Sequence, residues 1–229
     1  MLRLAVFDLD GTLKQARDPY VYLHRRLGTL EAAEAFTEQG LSGAIDYEEW
    51  LRLDVGLWIG TPKVVVEGHL RENPYLPGAR ETVAALRRRG VHVAIVSSGL
   101  LLQAEMVAAD LGADLIVANK IFFSRNGAEP VVTGDVQANV PFDGKGQIME
   151  RLQAQLGVAP AECIAVGDST GDIDLFRRAA VGIAVNPSSP RVAAAAHIVL
   201  PEADLTSLLD QLHAIAPRLW PWSGSGEAP

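Results

Sequence analysis

Short apolar runs recur along this 229-residue chain, at Leu4 to Phe7, Val91 to Val96, Leu115 to Ala118, Cys163 to Val166, Val181 to Val185 and His197 to Leu200. Each is brief and lacks polar alternation, the pattern of a strand buried on both faces. Helix-period segments separate most of them. Three of these segments, Arg80 to Arg89, Gln103 to Leu111 and Gly146 to Leu156, run into Gly90, Gly112 and Gly157, where a left-handed C-cap is expected. Strands alternating with helices imply an α/β protein whose parallel sheet is covered on both faces, a doubly wound, Rossmann-like core.

The stretch 14–76 breaks this rhythm. It carries helical patterns and no strand pattern, and reads as an inserted helical cap domain. Asp46 with Glu49 makes a capping box ahead of Trp50-Leu51-Arg52, and Thr61-Pro62 starts another helix with proline at its first position. Pro77-Gly78 marks the return to the core. The expected division is therefore a core of 1–13 and 77–216, a cap of 14–76, and a tail of 217–229. That tail, with Trp220, Pro221, Trp222 and Ser223-Gly224-Ser225-Gly226, lacks periodicity and reads as mobile or as a docking peg. Between Ile121 and Val136, the turn signal Arg125-Asn126-Gly127 predicts a hairpin leaving the sheet.

Composition narrows the partners. A net charge of -8 with no local basic stripe speaks against nucleic acid. The apolar start of the chain stops at Asp8, too early for a signal segment and far short of a membrane span, so a soluble protein with no membrane partner is expected. The single cysteine, Cys163, can form no internal disulfide, which fits the cytoplasm.

Chemistry concentrates at the ends of the apolar runs. Asp8 and Asp10 follow the first run, at the edge where open α/β sheets bind ligands. A D-x-D pair is by itself a common turn. A second acidic cluster, Val166-Gly167-Asp168-Ser169-Thr170-Gly171-Asp172, also follows a run, so further carboxylates should converge on the same edge. Two unit charges about 4 Å apart cost roughly 4 kcal/mol at an effective dielectric near 20, so the cluster requires a cation. An all-oxygen donor set suits Mg²⁺, whereas zinc would want histidine or cysteine. Lys145, at the head of the Gly146 to Leu156 helix, is the natural second cation. Val96-Ser97-Ser98-Gly99 follows another run and opens a helix, offering a hydroxyl and free N–H groups to an anion.

In this order the segments resemble the haloacid dehalogenase superfamily, in its phosphoserine phosphatase-like branch. Phe7-Asp8-Leu9-Asp10-Gly11-Thr12-Leu13 is similar to its first motif, Ile95-Val96-Ser97-Ser98-Gly99 to its second, Lys145 to its third and Gly167-Asp168-Ser169-Thr170-Gly171-Asp172 to its fourth. The resemblance implies a Mg²⁺-dependent phosphatase acting on a small-molecule phosphate ester. Asp8 would be the nucleophile, forming an aspartyl-phosphate, and Asp10 the general acid and base. The metal would be held by the carboxylates of Asp8 and Asp168 and the main-chain carbonyl of Asp10, with Asp172 as an outer ligand. Ser97, Ser98 and Lys145, with Gly11 and Thr12, would surround the phosphoryl group.

The resemblance also has departures. Seven residues after Asp10, where phosphoserine phosphatases place an acid for the substrate amine, stands Arg17, and the arginine expected for the substrate carboxylate aligns with Asp54. Arg52, two residues away, is the alternative. The fourth motif has Gly171 where asparagine is usual. The reversed charges speak against phosphoserine itself. The cap offers Arg17, Tyr20, Tyr22, Arg25, Arg26, Trp50, Asp54 and Trp58 as candidate contacts. Two other readings use the same carboxylates: phosphotransfer to an alcohol, as in a mutase, and a receiver-like phosphoacceptor module, against which the length of the chain argues.

Overall fold

The structure is a computed structural model and describes residues 1–125, 127, 129–141 and 144–221. Seven strands, β1 (Leu4–Phe7), β2 (His92–Leu100), β3 (Leu115–Phe123), β4 (Val132–Gln137), β5 (Cys163–Gly167), β6 (Val181–Val185) and β7 (Ile198–Leu200), form one sheet in the order β4-β3-β2-β1-β5-β6-β7. All pairings are parallel except β3 with β4. Every residue of β1 is buried, as the unbroken apolar run requires of a central strand. Phe7 lies opposite Ile95 on one side and Val166 on the other, which brings the carboxyl ends of β1, β2 and β5 to one edge. The chain builds β1 to β4 outward in one direction and then returns beside β1 to build β5 to β7. This reversal is the switch point at which open α/β sheets bind ligands.

Strand residues alternate between two cores. Ala5, Phe7, Val93 and Ile95 pack with α5 (Ala79–Arg88), α6 (Leu101–Leu111) and α10 (Leu208–Ile215). Leu4, Val6, Ala94 and Val96 pack with α7 (Lys145–Leu156), α8 (Ile173–Arg177) and α9 (Pro190–Ala195) on the opposite face. The sheet is therefore doubly wound. Among the described residues no helix is long and apolar enough to cross a membrane.

Between β1 and α5 lie four helices, α1 (Pro19–Leu27), α2 (Leu30–Ser42), α3 (Tyr47–Gly56) and α4 (Lys63–Glu72). The Asp18 carboxylate caps α1 by accepting from the N–H groups of Tyr20 and Val21, and Asp46 caps α3 through the N–H of Glu49. Leu23, Val55, Trp58, Val66 and Leu70 join Leu100, Leu102, Ile121 and Val132 in a third core, which anchors the insertion to the end of β2 and to the β3–β4 hairpin.

Several local expectations shift. Pro62 is the N-cap of α4 rather than its first residue. The hairpin does not leave the sheet: β3 continues to Phe123 and pairs with β4 as the sheet's own edge, because Ile121 and Val132 have the insertion to bury against. Asn126 lies outside the described residues. The expected tail is packed as far as it is described. Leu219 and Trp220 are buried, Leu2 N–H donates to the Leu219 carbonyl at 2.9 Å, and the Arg89 guanidinium lies 3.9 Å from the Trp220 ring centroid. Trp222 and Ser223-Gly224-Ser225-Gly226 lie outside the described residues.

Candidate active site

Asp8 stays in register beyond β1, its N–H donating to the Val166 carbonyl at 2.8 Å, and its buried carboxylate sits on the sheet edge. The turn that follows needs Gly11, whose φ is +80° and where a Cβ would stand 2.5 Å from a carboxylate oxygen of Asp168. β5 delivers the second cluster. Asp172 folds back on its own loop, one oxygen accepting from the N–H groups of Asp168 and Ser169 and from the Ser169 hydroxyl at 2.8–3.1 Å. Gly167 permits this approach, since a Cβ there would lie 2.4 Å from the Asp172 carboxyl carbon.

Lys145, the first residue of α7, joins the two clusters. Its Nζ donates at 2.7 Å to Asp8 Oδ1 and at 2.7 Å to Asp172 Oδ1, with the side chain only 2% exposed. Burial alone would lower its pKa, but Asp172 and Asp8 outweigh that and raise it, so it stays charged. Asp168 has no such partner. Its nearest cation is Arg17 Nη1 at 3.4 Å, and Arg17 also donates to the main-chain carbonyl of Asn186.

Carboxylates of Asp8, Asp168 and Asp172 present oxygens within 4.8 Å of one another. Burial, then repulsion from Asp172, pushes the Asp8 carboxyl up to about 6 against the pull of Lys145. Burial followed by Asp8 and Asp172 pushes Asp168 up to about 9. These are all-oxygen donors whose charge is not balanced by protein cations, which fits a hard divalent ion. Carboxyls that hold protons more tightly folded than unfolded lose stability as pH rises between the two values. The metal-free protein should therefore become less stable from about pH 4 to about pH 9. Thermal unfolding in EDTA should show a falling midpoint over that range, and a divalent ion should raise the midpoint most at the alkaline end. A flat or rising profile in EDTA would contradict the arrangement.

Asp10 stands apart from this trio. Its carboxylate accepts from the Ser97 hydroxyl at 3.0 Å and the Gln103 amide at 3.4 Å. Burial first, and then the charge of Asp8, raises its pKa well above the usual carboxylate range.

Not every residue singled out from the sequence lands as expected. Ser97 does not open a helix: β2 runs on to Leu100, and the Gly99 N–H is already donated to Ser97 Oγ at 2.8 Å. Ser98 lines the cavity, and its carbonyl accepts from Tyr47 Oη and Asn119 Nδ2. The N–H of Gly11 is donated to the Lys14 carbonyl and that of Thr12 to Leu9, so neither is free for a phosphate. The Thr12 hydroxyl is wholly buried, and neither Gly11 nor Thr12 lines the cavity. Both instead shape the turn under Asp168. Arg52 is 58% exposed, pairs with Glu48 one turn back and stays out of the cavity. Asp54 is buried and lines it, as do Arg17, Tyr20 and Trp50, whereas Tyr22, Arg25, Arg26 and Trp58 do not. Gln103, Asn119 and Tyr47 were not anticipated. Each reaches the site through a neighbouring element and carries no local motif.

The site opens into a cavity of about 490 Å³ between the sheet edge and helices α1 to α3. Residues 5–177 match the family model described as haloacid dehalogenase-like hydrolase. The chain is 33% identical over 185 residues to phosphoserine phosphatase SerB2 of Mycobacterium tuberculosis, spanning 80% of this chain and 44% of that protein. It is 30% identical over 208 residues to a phosphoserine phosphatase of Methanocaldococcus jannaschii, spanning 90% of this chain and 96% of the relative. A solved substrate-bound phosphoserine phosphatase complex superposes with a TM-score of 0.78 at 28% identity, covering 92% of this chain and 98% of that one. The chain thus spans less than half of the first relative and nearly all of the second.

Proposed function

Because the chain belongs to the haloacid dehalogenase-like hydrolases, we propose that it is a phosphoric monoester hydrolase that acts on a small soluble ester through an aspartyl-phosphate on Asp8. The carrying observation is that Lys145 grips Asp8 and Asp172 at once while Asp10 is held aside on Ser97. Residues 14–76 would serve as a cap over a core of 1–13 and 77–216, and the lone, buried Cys163 suits a cytoplasmic setting.

Lys145 fixes one oxygen of Asp8, leaving the other for in-line attack on phosphorus. As the Asp8 O–P bond forms and the ester P–O bond breaks, Asp10, with its raised pKa, gives its proton to the departing alkoxide. The resulting Asp10 carboxylate then takes a proton from water, whose oxygen attacks the phosphorus and returns Asp8 as a free carboxylate with inorganic phosphate released. Ser97 orients Asp10 in both steps, and the ammonium of Lys145 meets the negative charge of the phosphoryl oxygens. A bound Mg²⁺, held by Asp8 and Asp168 with Asp172 behind them, would neutralise the phosphoryl charge that these carboxylates otherwise repel.

An aryl phosphate tests this reading directly. Release of inorganic phosphate with Mg²⁺, suppressed by excess EDTA and restored by added Mg²⁺, is the expected result. Absence of turnover with Mg²⁺, or full turnover in excess EDTA, would refute it.

A further inference from the structure

The cavity is lopsided in charge. Its Lys and Arg residues among those described are Lys145 and Arg17 alone, and both lie at the floor, Lys145 against Asp8 and Asp172 and Arg17 against Asp168. The opposite wall, built by α1 and α3, presents Tyr20, Tyr47, Trp50, Leu51 and Asp54. Asp54 is 5% exposed, lines the cavity, and its Oδ1 accepts no hydrogen bond.

The nearest basic group, His24 Nε2, lies 3.4 Å from Asp54 Oδ1 and makes no hydrogen bond to it. His24 Nδ1 is held from the far side, 2.7 Å from the Thr29 hydroxyl and accepting from Trp58 Nε1–H at 3.1 Å, which fixes the ring. What remains is a buried carboxylate, an unfilled acceptor and aromatic rings facing the phosphate site across an apolar cavity. A buried carboxylate oxygen that accepts no hydrogen bond is costly, and a cation entering the cavity would answer it. Among the described residues no lysine or arginine lines this wall to receive a substrate carboxylate.

From this wall we propose that the alcohol portion of the substrate carries an ammonium or quaternary ammonium group and no carboxylate. The cation would sit between Asp54 and the rings of Tyr20, Tyr47 and Trp50, which combine charge attraction with cation–π contact on an apolar bed. This inference rests on the phosphatase reading above and deepens it.

Phosphocholine, its neutral carbon isostere 3,3-dimethylbutyl phosphate, phosphoserine and an aryl phosphate, assayed side by side with Mg²⁺, test the proposal. The expected kcat/KM for phosphocholine exceeds that of the neutral isostere by roughly tenfold or more, and phosphoserine falls below phosphocholine by at least as much. In Asp54→Asn the ratio of phosphocholine to its isostere should collapse towards one. Taking the ratio removes any general loss in the variant, and the wild-type ratio stands as a test even if the variant fails to fold. Equal or better turnover of the isostere, or a preference for phosphoserine, would overturn the inference while aryl phosphate turnover left the phosphatase reading intact. No turnover of any ester would overturn both.

Discussion

Replacing Asp8 with asparagine should reduce ester hydrolysis by roughly 10⁴-fold or more, the scale seen when a nucleophile is removed from a cooperating set. The folded protein should survive the change. The amide is nearly isosteric, its oxygen can still accept from Lys145, and the main-chain N–H of residue 8 still donates to the Val166 carbonyl. Because burial and Asp172 raise the Asp8 carboxyl to about 6, its ionised form at pH 8 is held less favourably in the folded protein than in the unfolded chain, a cost the neutral amide avoids. The metal-free Asp8→Asn protein should therefore unfold at the same temperature as wild type or higher. Phosphate release and thermal unfolding measured on one preparation check both halves. Retained turnover would remove Asp8 from the chemistry, and a large fall in midpoint would mean that the carboxylate holds the fold.

Lys145→Met should behave in the opposite way, losing activity and stability together. Lys145 is the buried cation between two acids that belong to different strand ends, and methionine matches its length without its charge. Leaving a buried ion without its partner costs about 3–5 kcal/mol, and the loss should appear in urea unfolding at pH 8. Acidification should return part of that loss, because without the pull of Lys145 the Asp8 carboxyl takes up its proton more readily than in wild type. Turnover should fall by about 10² to 10³-fold, the worth of one positioned charge on a developing oxyanion. An unchanged urea midpoint at pH 8 would show that Asp8 and Asp172 are reconciled by some other group.

Both variants act on residues visible in the sequence, because each sits at the end of a strand or the start of a helix. A strand end in a parallel sheet has one address. Once Leu4 to Phe7 and Cys163 to Gly167 are neighbouring strands, Asp8 and Asp168 must meet, whatever the intervening chain does. The same logic places Lys145 only as far as the edge of the sheet. That it bridges Asp8 and Asp172, and leaves Asp168 to Arg17, depends on how α7 seats against the sheet.

The insertion was less legible. Its helices follow from capping residues such as Asp18 and Asp46, but helical periodicity says nothing about which face meets the site. Arg52 and Asp54 stand two residues apart in α3, so only one of them can face the cavity, and packing against the β3–β4 hairpin decided for Asp54. Gly99 shows the same limit. The sequence suggests a free N–H at a helix start, yet β2 extends past it and Ser97 takes that donor.

Local apolar runs and their glycine stops determined the doubly wound sheet and the positions of Asp8, Asp10, Lys145 and Asp168 on it, since backbone hydrogen bonding and strand burial are decided within a few residues. Tertiary packing alone decided which acid the lysine pairs with, that Asp10 stands aside on Ser97, and that Asp54 faces an aromatic, cation-poor cavity. Those outcomes turn on distances between elements far apart in the chain, and charges interact by separation in space rather than in sequence.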